Sequence, residues 1–237
     1  MNKGFTLAEV LITLGILGVI AAIGIVAALT LPSLIQDYRE QATVTRVKKF
    51  YSVFSHAYTI AVEENGTIDN WGLENSSMTQ DDEGNSIHSE ESLKEYDKFL
   101  TIMSKYLNKA GYQKLHNSKG EGNSENIGFV LADGTQIIAI WLKPKNCNDT
   151  NTYCGDFYIK TNNKAGYDKN NNFNPNIFAF KIEPNRITPF GTDNATFKNQ
   201  CLNGKNYSRC TGWVIMNGNM DYLHCKDLSI NGKTKCK

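Results

Sequence analysis

The sequence predicts an α+β fold. One long N-terminal α-helix, with a membrane half and an amphipathic half, packs on an antiparallel sheet of about four strands, and a disulfide-bound C-terminal region follows. Three observations predict it. An uncharged apolar run, Val10 to Leu31, leads into a second stretch with apolar residues every three or four positions. An Asp-Gly pair sits between two β-rich runs. All six cysteines lie in the C-terminal half. A chain of 237 residues suits one membrane segment and one ordinary domain. A net charge of +1 gives no strong field toward nucleic acid or anionic lipid.

Val10 to Leu31 holds no charge. At the rise of an α-helix it spans about 33 Å, against a bilayer core of about 30 Å. A secretory signal peptide has a shorter apolar region and a more basic start. Lys3 is the only charged side chain before Glu9. Arg39, Arg46, Lys48 and Lys49 lie beyond the run. By the positive-inside rule alone, that bias favours a cytoplasmic C-terminal side. Gly15, Gly18 and Gly24 weaken the helix but permit close helix approach. Pro32 should kink it.

Beyond the run, Val47, Phe50, Tyr51, Phe54, Tyr58, Ala61 and Val62 form an apolar stripe. Asn65-Gly66 is the expected stop. Residues 66–91 read as a polar loop. Ser92 to Ala110 reads as a second helix, with Ser92-Leu93-Lys94-Glu95 as its capping box and Gly111 as its stop. Its apolar face is Leu93, Tyr96, Phe99, Leu100, Met103 and Leu107. Ile127–Ala132 and Thr135–Leu142 flank Asp133-Gly134, a strong hairpin signal. Asp156–Thr161 and Ile177–Glu183 are two further strands, with an Asn/Lys-rich loop over 162–176 between them. Cys210–Asn217 favours a short helix over a strand.

Cys147, Cys154, Cys201, Cys210, Cys225 and Cys236 include no pair at zinc-knuckle or redox spacing. Behind an export signal they read as three disulfides, with six buried thiols as the alternative. Sequence leaves 15 connectivities open. Pairing of neighbours is the choice that keeps every loop short.

The start, Lys3-Gly4-Phe5-Thr6-Leu7-Ala8-Glu9, has a Gly-Phe junction, one acid and then the apolar run. It resembles the processing signal of type IV pilins and of the pseudopilins of type II secretion. The resemblance implies a leader at 1–4, a transmembrane and assembly helix at 5–35, and an extracytoplasmic domain at 36–237. It implies cleavage between Gly4 and Phe5 by a prepilin peptidase, N-methylation of Phe5, and an assembly role for Glu9. Copies of the chain, other pilins, an inner-membrane assembly platform and membrane lipid are the implied partners. The implied location is the bacterial inner membrane as a single-pass protein with its C-terminal domain outside, then a pilus or periplasmic pseudopilus. The segment Cys210–Ile215, followed by Asn217–Tyr222, also looks like the tail of a pilin-like group.

Chemistry is sparse. No phosphate loop, nucleophile elbow or zinc-protease helix is present, so no catalytic, cofactor or metal residue is expected. His56, His88, His116 and His224 share no ligand spacing. Asp133, Asp156 and Glu183 are not spaced as a catalytic pair. Asp168-Lys169-Asn170-Asn171-Asn172-Phe173-Asn174 resembles the start of a calcium loop, but Phe173 and Ala179 stand where that loop needs Gly and Glu. An Asn-rich turn is the better reading. Lys143, Lys145, Lys160, Lys164 and Lys169 make a weak stripe, so nucleic acid is not an expected partner. The expectation is a structural pilin or pseudopilin subunit. The alternatives are a low-copy tip module binding a surface, a secreted substrate or DNA, and a membrane-anchored secreted enzyme.

Overall fold

Helix α1 (Leu7–Asn65) is 59 residues long and runs through Pro32. The structure is a computed structural model describing residues 6–84, 86–107, 109–115, 126–147, 152–161 and 174–236. For 22–29, 109–110, 112–115, 126–129 and 146 it describes the backbone alone. The chain divides into two units, Met1–Ala42 and Thr43–Lys237, and α1 contributes to both.

In the second unit α1 buries Val47, Phe50, Phe54, Ala57, Tyr58 and Ala61. Their spacing of three and four residues places them on one face. Tyr51 and Val62 lie half-buried at its margin. Gly66 ends the helix at φ +77°, a left-handed conformation that costs glycine little.

The stretch 66–91 is more ordered than its polarity suggests. It holds a 3₁₀ turn, Ile68–Asn70, and a two-stranded antiparallel ribbon of β1 (Met78–Gln80) and β2 (Ser86–His88). Trp71 lies 5.6 Å from Tyr58 and 6.0 Å from Phe99, ring to ring. Helix α2 (Glu90–Ser104) starts earlier than the expected capping box. Its N-cap is Ser89, whose hydroxyl accepts the Ser92 N–H at 3.2 Å. Glu95 instead accepts from the Glu74 N–H at 3.0 Å and from Lys98 at 2.6 Å. Tyr96, Phe99, Leu100 and Met103 are its buried apolar face.

Among the described residues the main sheet has six antiparallel strands in chain order rather than about four. They are β3 (Lys109–Leu115), β4 (Asn126–Leu131), β5 (Gln136–Leu142), β6 (Gly155–Lys160), β7 (Ile177–Ile182) and β8 (Ile187–Pro189). Strand β3 overlaps the expected end of α2. Gly111 does not stop a helix there, and the β3–β4 register shifts between Lys109 and Gly111. Glycine is suited to such an irregularity. The Asp133-Gly134 turn forms as expected. Gly134 has φ +83°, Gly134 N–H donates to Leu131 O at 2.9 Å, and Thr135 N–H donates to Asp133 Oδ1 at 3.0 Å.

The pleat alternates side chains between faces. On the face toward α1, Phe157 lies 4.7 Å from Phe54 and 5.4 Å from Phe180, and Phe180 lies 5.5 Å from Phe50. The Tyr58 hydroxyl donates to Glu183 O at 2.8 Å, tying α1 to the end of β7.

The C-terminal region begins at α3 (Asn194–Thr196), capped by Asp193 and continuing as a π-turn over Phe197–Leu202. A helix does form at the Cys210 end: α4 (Thr211–Asn217), closed by Gly218 at φ +66°. Trp213 stacks on Phe197 at 4.4 Å and donates Nε1–H to Asn219 Oδ1 at 2.8 Å. Asn219 Nδ2 donates to Thr234 O, so one side chain holds helix and tail together. The disulfides are Cys147–Cys154, Cys201–Cys210 and Cys225–Cys236. Each joins neighbours in sequence.

Candidate processing and assembly site

Helix α1 opens on Thr6-Leu7-Ala8-Glu9, with Thr6 as the last residue before the helix and Glu9 in its first turn. The first amides of any helix lack internal acceptors. Here the Thr6 N–H and hydroxyl both donate to Glu9 Oε2 at 2.8 Å. The Glu9 N–H donates back to Thr6 Oγ1 at 3.3 Å. This is a reciprocal capping box. Its Thr-x-x-Glu spacing is plain in the sequence, and the cap gives Glu9 a local role beside the assembly role that the resemblance implies. One turn on, the Thr13 hydroxyl donates to the carbonyls of Glu9 and Val10, both at 2.9 Å. Gly4 and Phe5 lie outside the described residues.

Around this box the helix surface is apolar and open. Leu7 is 78% exposed, and Leu11, Ile12, Leu14 and Leu17 are each exposed by 60% or more. An apolar surface of this extent marks a membrane or protein contact. Among the described residues no helix is long and apolar enough to cross a membrane. The side chains of 22–29, inside the Val10–Leu31 run, are outside that description. Gly15 and Gly18 have nothing within 4 Å of where a Cβ would stand.

Elsewhere the titratable groups hold the fold. Asp133 faces Lys49 at 3.8 Å. Glu183 is taken by Arg186 Nε at 2.5 Å and by Thr188 Oγ1 at 2.9 Å. Asp156 accepts from the Tyr153 hydroxyl at 2.6 Å, and burial pushes its carboxyl up. The three carboxylates thus have separate sets of partners. His88 is buried, with Nδ1 2.8 Å from the Tyr96 hydroxyl, and burial lowers its pKa to about 4. His56 and His224 are exposed, and His116 is outside the described residues. Among the described residues no three metal-ligating side chains gather. The calcium-like residues 168–173 also fall outside them. Lys145 pairs with Glu74, Lys143 lies over Trp141, and Lys164 and Lys169 are not described.

Residues 33–226 match the model of a family of unknown function (DUF6613). Residues 1–29 match the model of the prokaryotic N-terminal methylation motif. No curated protein and no solved structure matches the chain.

Proposed function

We propose that this chain, which belongs to that family of unknown function and carries the methylation signal of type IV pilins and pseudopilins, is a structural subunit of a type IV pilus or type II secretion-like filament. A prepilin peptidase cuts between Gly4 and Phe5 and Phe5 is methylated. Before assembly, Val10–Leu31 holds the chain in the inner membrane with its C-terminal domain outside. Afterwards the same apolar surface packs against copies of the chain or other pilins, on an inner-membrane assembly platform. The observation that carries this reading is the motif over residues 1–29, followed by an exposed apolar helix.

Glu9 has two tasks in this scheme. Within its own chain it caps α1 through Thr6. In the filament it faces the Phe5 amine of a neighbour, and in a surrounding of low dielectric that attraction sets helix register. Replacing Glu9 by Ala removes both, and Glu9→Gln keeps an acceptor for Thr6 without the charge. Both variants should insert in the membrane and both should be depleted from sheared filaments. Normal incorporation of Glu9→Gln would remove the charge from the scheme.

A further inference from the structure

Charge divides unevenly along this chain. Residues 63–91 hold nine acids and no Lys or Arg, whereas 198–237 hold seven Lys or Arg and two acids. The fold carries the two stretches to different places. The acidic stretch leads into α2, which packs on β4 and β5, whereas α4 in the basic stretch packs on β7 and β8. In the strand order β3 to β8 these are different halves of one sheet. Within one copy the two patches therefore lie apart.

The basic patch is concave. A cleft of about 640 Å³ opens between the π-turn over Phe197–Leu202 and the tail segment 226–229. The buried Leu202 and Leu228 line it, and Lys198 and Lys226 stand exposed beside them. Its one carboxylate, Asp227, is taken by Lys233 at 2.6 Å. Lys226 Nζ donates to Tyr222 O at 3.4 Å, which leaves its charge unmatched. Among the described residues neither Lys198 nor Lys226 has a carboxylate within ion-pair distance. The acidic patch ends in an exposed tip. In the turn between β1 and β2, Asp81 Oδ1 accepts the Glu83 N–H at 3.0 Å and Asp81 O accepts the Gly84 N–H at 2.9 Å. These bonds close the turn and leave Asp82 and Glu83 exposed at its end.

We propose that the cleft at Lys198 and Lys226 receives the Asp82-Glu83 tip of a second copy of this chain. The proposal rests on the reading of the chain as a filament subunit. Charge complementarity selects the occupant, because one chain carries both members of the pair while its net charge is only +1. Two different patches on one molecule make a heterologous contact, which repeats head to tail and builds an open helix unless it closes into a ring. A two-fold contact of either patch with itself would set like charges together. The end of a two-stranded ribbon is narrow, with its strands about 5 Å apart, and suits a cleft of this size. A nucleic acid strand would meet the same lysines, but only a second copy uses both patches.

Zero-length cross-linking tests it. Unlabelled and ¹⁵N-labelled full chain are mixed in detergent micelles and in filaments, then treated with a carbodiimide that joins a lysine directly to a carboxylate. Mixed-isotope peptides joining Lys198 or Lys226 to Asp82 or Glu83 are the expected product, and salt near 1 M should suppress them. Lys198→Glu with Lys226→Glu should cut the yield about tenfold, and so should Asp82→Lys with Glu83→Lys. All four side chains are exposed, so both double variants should keep the fold. Mixing the two double variants should restore the product, since each supplies the patch the other lacks. A product of single isotope only, no rescue on mixing, or protection of both lysines by a single-stranded oligodeoxynucleotide without any mixed product would each overturn the proposal. Mature filaments without this cross-link would remove the contact and leave the filament reading standing. The cross-link in micelles of a chain that never forms filaments would do the reverse.

Discussion

The Glu9 carboxylate accepts two hydrogen bonds from Thr6, one from its N–H and one from its hydroxyl, both at 2.8 Å. The acid proposed as a register mark is therefore pre-oriented by its own chain. A Thr6→Ser variant keeps the hydroxyl and should behave as wild type. A Thr6→Ala variant loses an N-cap interaction of about 1 kcal/mol. Its first helical turn should fray, seen as lower amide protection at residues 7–10 in micelles, and filament yield should fall with it.

Two glycines let chain segments touch. The Gly212 N–H donates to Phe190 O at 2.6 Å, and a Cβ on Gly212 would stand 2.6 Å from the Gly191 carbonyl carbon. Nothing there is a flexible side chain that could move aside. Gly212→Ala should cost about 2–3 kcal/mol, as overpacking of a closed contact does. A denaturant midpoint equal to wild type would show that the crossing relaxes freely.

The disulfides differ in exposure. Cys201 and Cys210 are fully buried, while Cys225 and Cys236 are partly exposed. Thiolate attack requires access. Mild reductant should open Cys225–Cys236 first, read by alkylation and peptide mass. Replacing both Cys201 and Cys210 by Ser should cost about 2–4 kcal/mol.

His88 gives the fold an acid limit. Its folded pKa of about 4 lies below the ordinary value of 6.5, and burial is the cause. The unfolded chain therefore takes up a proton that the folded chain refuses. This contribution favours folding fully above pH 6.5 and is lost as pH falls toward 4, by about 3 kcal/mol in all. His88→Gln should flatten that part of the stability curve measured by urea unfolding. An unchanged slope would place the acid sensitivity elsewhere.

Local chemistry was legible in the chain and distant pairing was not. The Asp133-Gly134 hairpin, the Gly66 stop and the stripe from Val47 to Ala61 depend on neighbours a few residues away. Strand β3 does not. Its residues follow Leu107 in helical phase and become a strand by pairing with β4 across a long connection. Strand β8 is three residues with a proline, too short to carry a period. Ser89 and Ser92 both sit at plausible cap positions, and the two acids Glu90 and Glu91 in the first turn favour Ser89. Asp156 and Arg209, far apart in sequence, interact only through the docking of the C-terminal region, so spacing could not reveal it.

The most direct test is the intact mass of the chain recovered from its own membranes and filaments. Cleavage at the Gly-Phe junction predicts a protein beginning at Phe5 and carrying one added methyl group. A chain that still begins at Met1, or one trimmed beyond Ala28, would contradict the filament account.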